Sequence, residues 1–134
     1  MRTEAYASRP LIDRIDIHIE VPAVAIDDLS RAQGGERSSD IRKRVERARA
    51  KMVERQEKAN SKLTSAEIER YCSLGTGAAA ILQSAITKLG LSARGYHRIL
   101  KVARTIADLA GADEITAVHV AEAIQYRSLD RAAR

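Results

Sequence analysis

One stretch of this chain, residues 15–21, alternates strictly between apolar and polar residues and reads Ile-Asp-Ile-His-Ile-Glu-Val. Alternation with a period of two is typical of a β-strand that buries one face. A strand needs a neighbour for its backbone N–H and C=O groups, yet no second stretch of the sequence alternates in this way. The sequence therefore predicts one strand and leaves open where its sheet partners lie.

The remainder of the chain has the spacing of helices. From residue 38 onwards the apolar residues recur at intervals of three and four, and capping residues and glycines divide them into five helices. Thr64, followed three residues later by Glu67, predicts a capping box at the start of the second helix. Ser92 predicts the N-cap of the fourth helix. The predicted fold class is mainly α, a helical bundle preceded by a single strand.

The apolar positions also predict which face of each helix is buried. The first helix, over residues 38–59, has one narrow apolar stripe formed by Ile41, Val45, Ala48 and Met52. The inner positions predicted for the third helix are Ala80, Ile81, Ala85 and Leu89. The fourth helix has a broad apolar face, and on its opposite side the positions i, i+4 and i+7 carry Arg94, Arg98 and Lys101.

The composition favours an anionic partner without identifying it. The 134 residues fit one domain and carry a net charge of +5. Such a charge is typical of proteins that bind nucleic acid, nucleotide phosphates or an acidic protein, although a basic domain without such a partner has the same balance. The single cysteine, Cys72, excludes a disulfide within the chain. No run of residues has the length of a membrane span or the apolar core of a signal peptide, so we expect a cytoplasmic protein without a membrane partner.

The first helix is the most basic element of the chain. Four of its cations are candidate contacts to DNA phosphates, since phosphate contacts need charge and no base-reading code: Arg42, Lys43, Arg47 and Lys51. The alternative interpretation is a solvated helix face with no ligand.

The sequence contains no set of residues that could form a complete active site. A glycine-rich phosphate loop is absent, and the three histidines have spacings that predict no metal site. Two arginines nevertheless occupy positions suited to phosphate contact. Arg14 precedes the strand, and Arg94 lies in the first turn of a capped helix, where free amides and the helix dipole favour an anion. Both could equally be ordinary surface arginines.

Two segments resemble the C-terminal part of the magnesium-chelatase-like AAA+ ATPases, and within them the ComM/YifB branch. The segments are PLIDRIDIHIEVP, residues 10–22, and LSARGYHRILKVARTIADLAG, residues 91–111, followed by HVAEAIQYR. The resemblance implies that Arg14 is an arginine finger acting in trans and that Arg94 is the sensor-2 arginine. It also implies two parts: residues 1–37 as the tail of the αβα ATPase core, and residues 38–134 as a helical lid domain of the magnesium chelatase C-terminal type.

The same resemblance implies a function for the parent protein. Its ring would couple ATP hydrolysis to work on a macromolecule, with DNA branch migration in natural transformation as the expected task. ATP and Mg²⁺ would be used by the full-length parent, while this chain alone should bind neither tightly and should be inactive. The implied partners are the upstream AAA+ core, neighbouring subunits of a homo-oligomeric ring, and DNA. Two alternatives are a stand-alone helical DNA-binding or adaptor module and the ATPase subunit of a magnesium chelatase.

Overall fold

The computed structural model describes residue 11, residues 14–23 and residues 34–127. Within these ranges the chain forms five α-helices and one short 3-10 helix, which confirms the mainly α fold. The helices are α1 Ser38–Gln56, α2 Ser65–Tyr71, α3 Thr76–Leu89, α4 Ala93–Leu109 and α5 Ala117–Gln125, with the 3-10 helix Asn60–Lys62 between α1 and α2. Most of the predicted ATPase-core tail, residues 1–37, lies outside the described residues.

Helix α4 is the centre of the bundle. It packs against α1, α2, the 3-10 helix and α5, while α3 packs against α5. Ile99, Ala103 and Ala107 of α4 have no solvent-exposed surface, and neither has Val120 of α5. The buried members of the core cluster around them are aliphatic apart from Cys72, and the partly buried Tyr71, Tyr96 and Tyr126 pack against it. Because α4 contacts almost every other element, the side chains on its remaining face have fixed positions relative to the whole bundle.

The predicted helix starts are confirmed where a side chain caps them. Thr64 Oγ1 accepts a hydrogen bond from the amide of Glu67, and the Glu67 carboxylate accepts one from the amide of Thr64. Ser92 Oγ accepts from the amide of Gly95 at 3.1 Å. These bonds satisfy amides that the first turn of a helix leaves without partners. Helix α3 ends at Gly90, which has a left-handed φ of 60°.

The buried faces were predicted less well. Helix α3 buries Ala78, Leu82 and Ala85, whereas the predicted inner residues Ala80 and Ile81 are exposed. The prediction for α3 was wrong at these two positions because the first half of that helix has apolar residues all round, so its periodicity does not select one face.

Helix α1 is buried only in its C-terminal half. Ala48 and Met52 lie in the core, but Ile41 and Val45 of the same stripe are 40% and 52% exposed. The stripe was therefore predicted correctly only where α1 lies against α4, and the first two turns of α1 extend past the bundle.

The alternating segment runs along the bundle and forms one backbone bridge, which pairs His18 with Arg127 in parallel. His18 is buried, while Ile17, Ile19 and Val21 are at least half exposed. His18 is thus the residue of the alternation that is buried, while the half-exposed Ile17 and Ile19 line a groove of about 690 Å³ together with Val102 and Ile106 of α4. Within the described residues, this single bridge is the only β-pairing that residues 14–23 form. A full strand with sheet partners therefore stays a prediction.

Candidate phosphate-binding groove

A groove of about 380 Å³ separates the N-terminal half of α4 from the start of α2. Its α4 wall carries four side chains that are cationic or can become so: Arg94, His97, Arg98 and Lys101. Their spacing of three and four residues places them along one side of the helix. Leu63, Ser65 and Ile68 form the opposite wall. The groove thus has a row of basic groups on its α4 wall and two largely buried apolar residues, Leu63 and Ile68, on the other.

Arg94 is the most available of these cations. It lies in the first turn of α4, two residues after the Ser92 cap, and its side chain is exposed. Within the described part of the chain, no carboxylate or carbonyl oxygen accepts a hydrogen bond from Arg94. A guanidinium presents several donors in one plane and binds phosphate oxygens in pairs. The predicted position of Arg94 at a capped helix start is confirmed, and its role in nucleotide binding stays a prediction.

Arg98, one turn further along α4, is already engaged. Its Nη1 donates to the carbonyl oxygen of Arg14 at 2.9 Å and to the carboxylate of Asp16. The Arg98 side chain is only 17% exposed. This arginine therefore attaches the alternating segment to the wall of the groove and is not available as a free cation.

Arg14 lies at the start of that attached segment. The Arg14 side chain is exposed, and its guanidinium has no partner among residue 11, residues 14–23 and residues 34–127. The backbone that carries it is held from two sides, because Arg98 binds its carbonyl oxygen and Arg127 donates to the carbonyl oxygen of Ile15. The amide of His18 completes the attachment by donating to the carbonyl of Tyr126. The structure thus brings the backbone of Arg14 and the helix of Arg94 together through Arg98.

Sequence reasoning did not identify Arg98 or Asp16 as parts of this arrangement. Arg98 was grouped with Arg94 and Lys101 on the outer side of α4, and Asp16 was taken as a polar position of a strand. The two residues are 82 positions apart, so no local pattern connects them.

The four candidate DNA contacts of α1 differ in their surroundings. Arg42 is paired with Glu46 of the same helix at 2.9 Å. Lys51 donates to the carbonyl oxygen of Gly111 at 3.1 Å and lies 3.3 Å from the carboxylate of Asp113. Lys43 and Arg47 are exposed and have no ion-pair partner among the described residues. Of the four side chains, these two are the ones that could contact a polyanion without first breaking an existing interaction.

A buried polar cluster joins the C-terminal part of α1 to the C-terminal part of α4. The guanidinium of Arg55 donates to both carboxylate oxygens of Asp108 at 2.9 Å, and Asn60 donates to one of them at 3.0 Å. The Asp108 side chain is fully buried. Burial alone would raise the pKa of Asp108, but the hydrogen bonds from Arg55 and Asn60 outweigh it, so the pKa is lowered. Sequence analysis missed this cluster, although Arg104 and Asp108 are oppositely charged and lie four residues apart.

A metal site is not found beside the basic groups of the groove within the described residues. No group of three or more His, Cys, Asp or Glu side chains that could hold a metal ion occurs among the described residues, so we assign no Mg²⁺ ligand to them. In the same residues no helix combines the length and the apolar character needed to cross a membrane.

Five packed helices, with basic side chains lining a groove on the central one, define a small α-helical domain. The sequence profile of the family described as magnesium chelatase, subunit ChlI C-terminal, matches residues 35–127. The chain therefore belongs to this family. The matched residues include all five helices and exclude the segment that carries Arg14.

Nearly the whole chain is also similar to proteins of the ComM/YifB type. It is 47% identical over 125 residues to the competence protein ComM of Haemophilus influenzae. It is 43% and 42% identical over the same length to the uncharacterized YifB proteins of Salmonella typhimurium and Escherichia coli. Each alignment covers 92% of this chain and 25% of the relative, so the chain spans about a quarter of the length of these proteins.

Proposed function

We propose that this chain is the lid region of a ring-forming AAA+ ATPase that couples ATP hydrolysis to the movement of DNA, with branch migration during natural transformation as its task. Membership of the chelatase C-terminal family and similarity to a competence protein support this proposal. The observation that carries it is the groove on α4. There the unpaired Arg94 stands one turn from Arg98, the residue that holds the backbone of Arg14.

Arg94 is suited to contact the phosphates of the nucleotide bound in its own subunit. Its guanidinium lies at the positive end of α4, so the helix dipole and the side chain act on an anion in the same direction. Lys101 lines the same groove two turns further on and adds a second cation. In this function Arg94 contacts phosphate oxygens of ATP and thereby fixes the lid relative to the upstream core. Mg²⁺, when bound with ATP in the parent, neutralises phosphate charge.

Arg14 is suited to act on a neighbouring subunit. Its guanidinium is exposed, whereas the backbone on either side of it is fixed to the bundle. A fixed backbone with an exposed guanidinium presents one positive charge outward at a defined place. In the proposed ring this charge stabilises the transition state of phosphoryl transfer in the adjoining subunit, which makes hydrolysis depend on contact between subunits.

Replacing either arginine tests the proposal in the full-length protein. Arg14→Ala and Arg94→Ala should each lower ATP turnover by roughly three orders of magnitude, the size of effect known for arginines that contact the transferred phosphoryl group. Turnover is measured at saturating ATP, together with ring size by analytical ultracentrifugation. Arg14→Ala should leave the affinity for ATP nearly unchanged, while Arg94→Ala should weaken it.

The matched control is Arg49→Ala, because Arg49 is an exposed arginine of α1 without an ion-pair partner in the described residues. Its turnover should equal that of the unchanged protein. Near-normal turnover in Arg14→Ala would remove the finger assignment, and near-normal turnover and affinity in Arg94→Ala would remove the sensor assignment. Loss in the Arg49 variant as well would indicate a general effect of charge.

The DNA task predicts a role for Lys43 and Arg47, the two of the four candidate DNA contacts that have no ion-pair partner among the described residues. Lys43→Glu combined with Arg47→Glu should abolish the stimulation of ATP turnover by duplex DNA while leaving the DNA-free rate unchanged, because the change reverses charge at a phosphate-contacting surface. The affinity of the unchanged protein for DNA should fall steeply with salt. Stimulation that survives in the double variant would place the DNA contact elsewhere. As a matched control, Arg70→Glu reverses charge at an exposed residue of α2.

The exposed pair Lys43 and Arg47 also favours a second candidate, a stand-alone helical DNA-binding module. This alternative predicts that the 134-residue chain alone binds duplex DNA in a salt-sensitive way, with no need for ATP or a ring. The chelatase alternative is motivated by the family description and predicts instead that the parent drives Mg²⁺ insertion into a porphyrin. The ATPase proposal predicts weak DNA binding by the isolated chain and no such insertion.

A further inference from the structure

We infer that Arg98 and Asp16 are positioning residues that couple Arg94 to Arg14, so that phosphate contact at one arginine sets the position of the other. This inference rests on the proposed function, because it needs both Arg94 and Arg14 to contact phosphates. The coupling runs through one turn of α4 and through the ion pair between Arg98 and Asp16.

The first part of the path is α4 itself. Arg94 and Arg98 are four residues apart on one side of the helix, and both line the same groove. The helix is packed on almost every other element, and Ile99, immediately after Arg98, has no exposed surface. A displacement of the first turn of α4 therefore moves Arg94 and Arg98 together.

The second part is the contact between Arg98 and the segment. A single terminal nitrogen, Nη1, reaches both the Arg14 carbonyl oxygen and the Asp16 carboxylate. The bond to the Asp16 carboxylate is an ion pair. The bond to the carbonyl oxygen of Arg14 joins Arg98 to the residue whose own guanidinium is exposed. Charge-assisted hydrogen bonds of this kind are stronger than neutral ones and depend on direction. Movement of Arg98 is thus transmitted to the backbone of Arg14.

The remaining attachments of the segment come from the end of α5. Arg127 binds the carbonyl oxygen of Ile15, and the amide of His18 donates to Tyr126. These bonds hold the segment in place even when Arg98 is released, so they act as a pivot. Loss of the Arg98 contact should then free Arg14 without detaching residues 15–18 from the bundle.

The contact is tested first in this chain by backbone ¹⁵N relaxation, which measures the motion of each amide. Arg98→Ala and Asp16→Asn should each lower the order parameter of the Arg14 amide from roughly 0.85, the value of rigid backbone, to below about 0.6. The His18 amide, which donates to the carbonyl of Tyr126, should keep its value in both variants. Arg98→Lys retains a donor and a charge and should leave the Arg14 amide nearly as ordered as in the unchanged chain. Circular dichroism verifies that the helices are intact. An unchanged order parameter at Arg14 in both Arg98→Ala and Asp16→Asn would overturn the inference.

The coupling is tested in the full-length protein by ATP turnover. Asp16→Asn removes no cation from the groove, so it separates positioning from direct phosphate contact. It should lower kcat by roughly tenfold with little change in KM, and its effect should be smaller when Arg94 is already replaced by Ala. Arg98→Ala should behave in the same way, and Arg98→Lys should recover most of the lost kcat.

The outcomes distinguish this inference from the function on which it rests. If Arg14→Ala and Arg94→Ala lower turnover but Asp16→Asn does not, the coupling is wrong and the proposed function stands. Full additivity of Asp16→Asn and Arg94→Ala would likewise overturn the coupling alone. If none of the four variants lowers turnover, the proposed function fails and this inference fails with it.

Discussion

Asp108 is the residue on which the position of α1 depends most directly. It is a fully buried carboxylate that binds Arg55 of α1, Asn60 of the 3-10 helix and Arg104 of its own helix. Each partner comes from a different element, so the side chain joins three parts of the bundle at one point. A buried charge with this many partners is well compensated, but the compensation is lost when any one group is removed.

Asp108→Ala should therefore lower the free energy of unfolding by about 3–5 kcal/mol, because it leaves the guanidinium of Arg55 without its buried partner. Urea unfolding at pH 7, followed by circular dichroism, measures the change. Asp113→Ala is the matched control, since the Asp113 carboxylate is exposed and pairs with Lys51 alone among the described residues, and its loss should cost less than about 1 kcal/mol. Equal losses in the two variants would show that burial of Asp108 is not the cause.

At the scale of the helix, the ends of the elements follow local rules. The capping box at Thr64 and the cap at Ser92 could be predicted from sequence because donor and acceptor lie three residues apart. The buried face of α3 could not, because that face is selected by the packing of α3 against α5, and the helix itself offers apolar residues in several directions. Local hydrogen bonds were thus predictable where tertiary packing was not.

The C-terminus of α1 breaks a local rule. Glu57 caps this helix in a left-handed conformation with φ 63°, which a residue with a Cβ adopts only with strain. Glu57→Gly should therefore raise the free energy of unfolding by about 0.5–1 kcal/mol, measured by urea unfolding.

The matched control for Glu57→Gly is Glu54→Gly, one turn earlier in the same helix and exposed. At that ordinary helical position the glycine should lower the free energy of unfolding by about 1 kcal/mol. A loss of stability at both positions would mean that the strain at Glu57 is small compared with the flexibility that glycine adds to the unfolded chain.

At the scale of the whole molecule, hydrogen-bonded charge pairs determine how the free energy of unfolding changes with pH. The pKa of Glu67 is lowered to about 2 by the hydrogen bond from Lys58, with a further contribution from the amide of Thr64. The pKa of Asp108 is also lowered. A carboxyl group whose pKa is lower in the folded state stabilises the fold above its unfolded pKa, and this contribution is lost as the pH falls towards the folded value.

The free energy of unfolding should therefore be nearly constant above about pH 5 and should fall steadily from about pH 4.5 towards pH 2. Urea unfolding at a series of pH values measures this curve. Glu67→Gln should make it less steep, because one of the carboxyl groups with a lowered pKa is removed. A curve that is flat or rises on acidification would contradict the protonation states described here.

The same scale explains what sequence reasoning could not provide for the candidate site. Arg94 and Arg14 were found because each stands in a recognisable local setting, a capped helix start and the approach to a strand. Arg98 and Asp16 are joined across 82 positions and Arg55 and Asp108 across 53, so their pairing depends on how the helices assemble. Local sequence patterns thus identified the exposed arginines, Arg14 and Arg94. The residues that position them could be identified only from the tertiary structure.

The Arg55–Asp108 pair also constrains how this family can change over time. Losing either partner alone costs several kcal/mol, whereas replacing both with apolar residues of similar volume is often neutral. A lineage that changes one of the two residues therefore passes through a poorly folded intermediate unless the second change follows closely. Related chains should accordingly keep both members of the pair or neither, and Asn60 and Arg104, which also contact Asp108, should tend to change together with them.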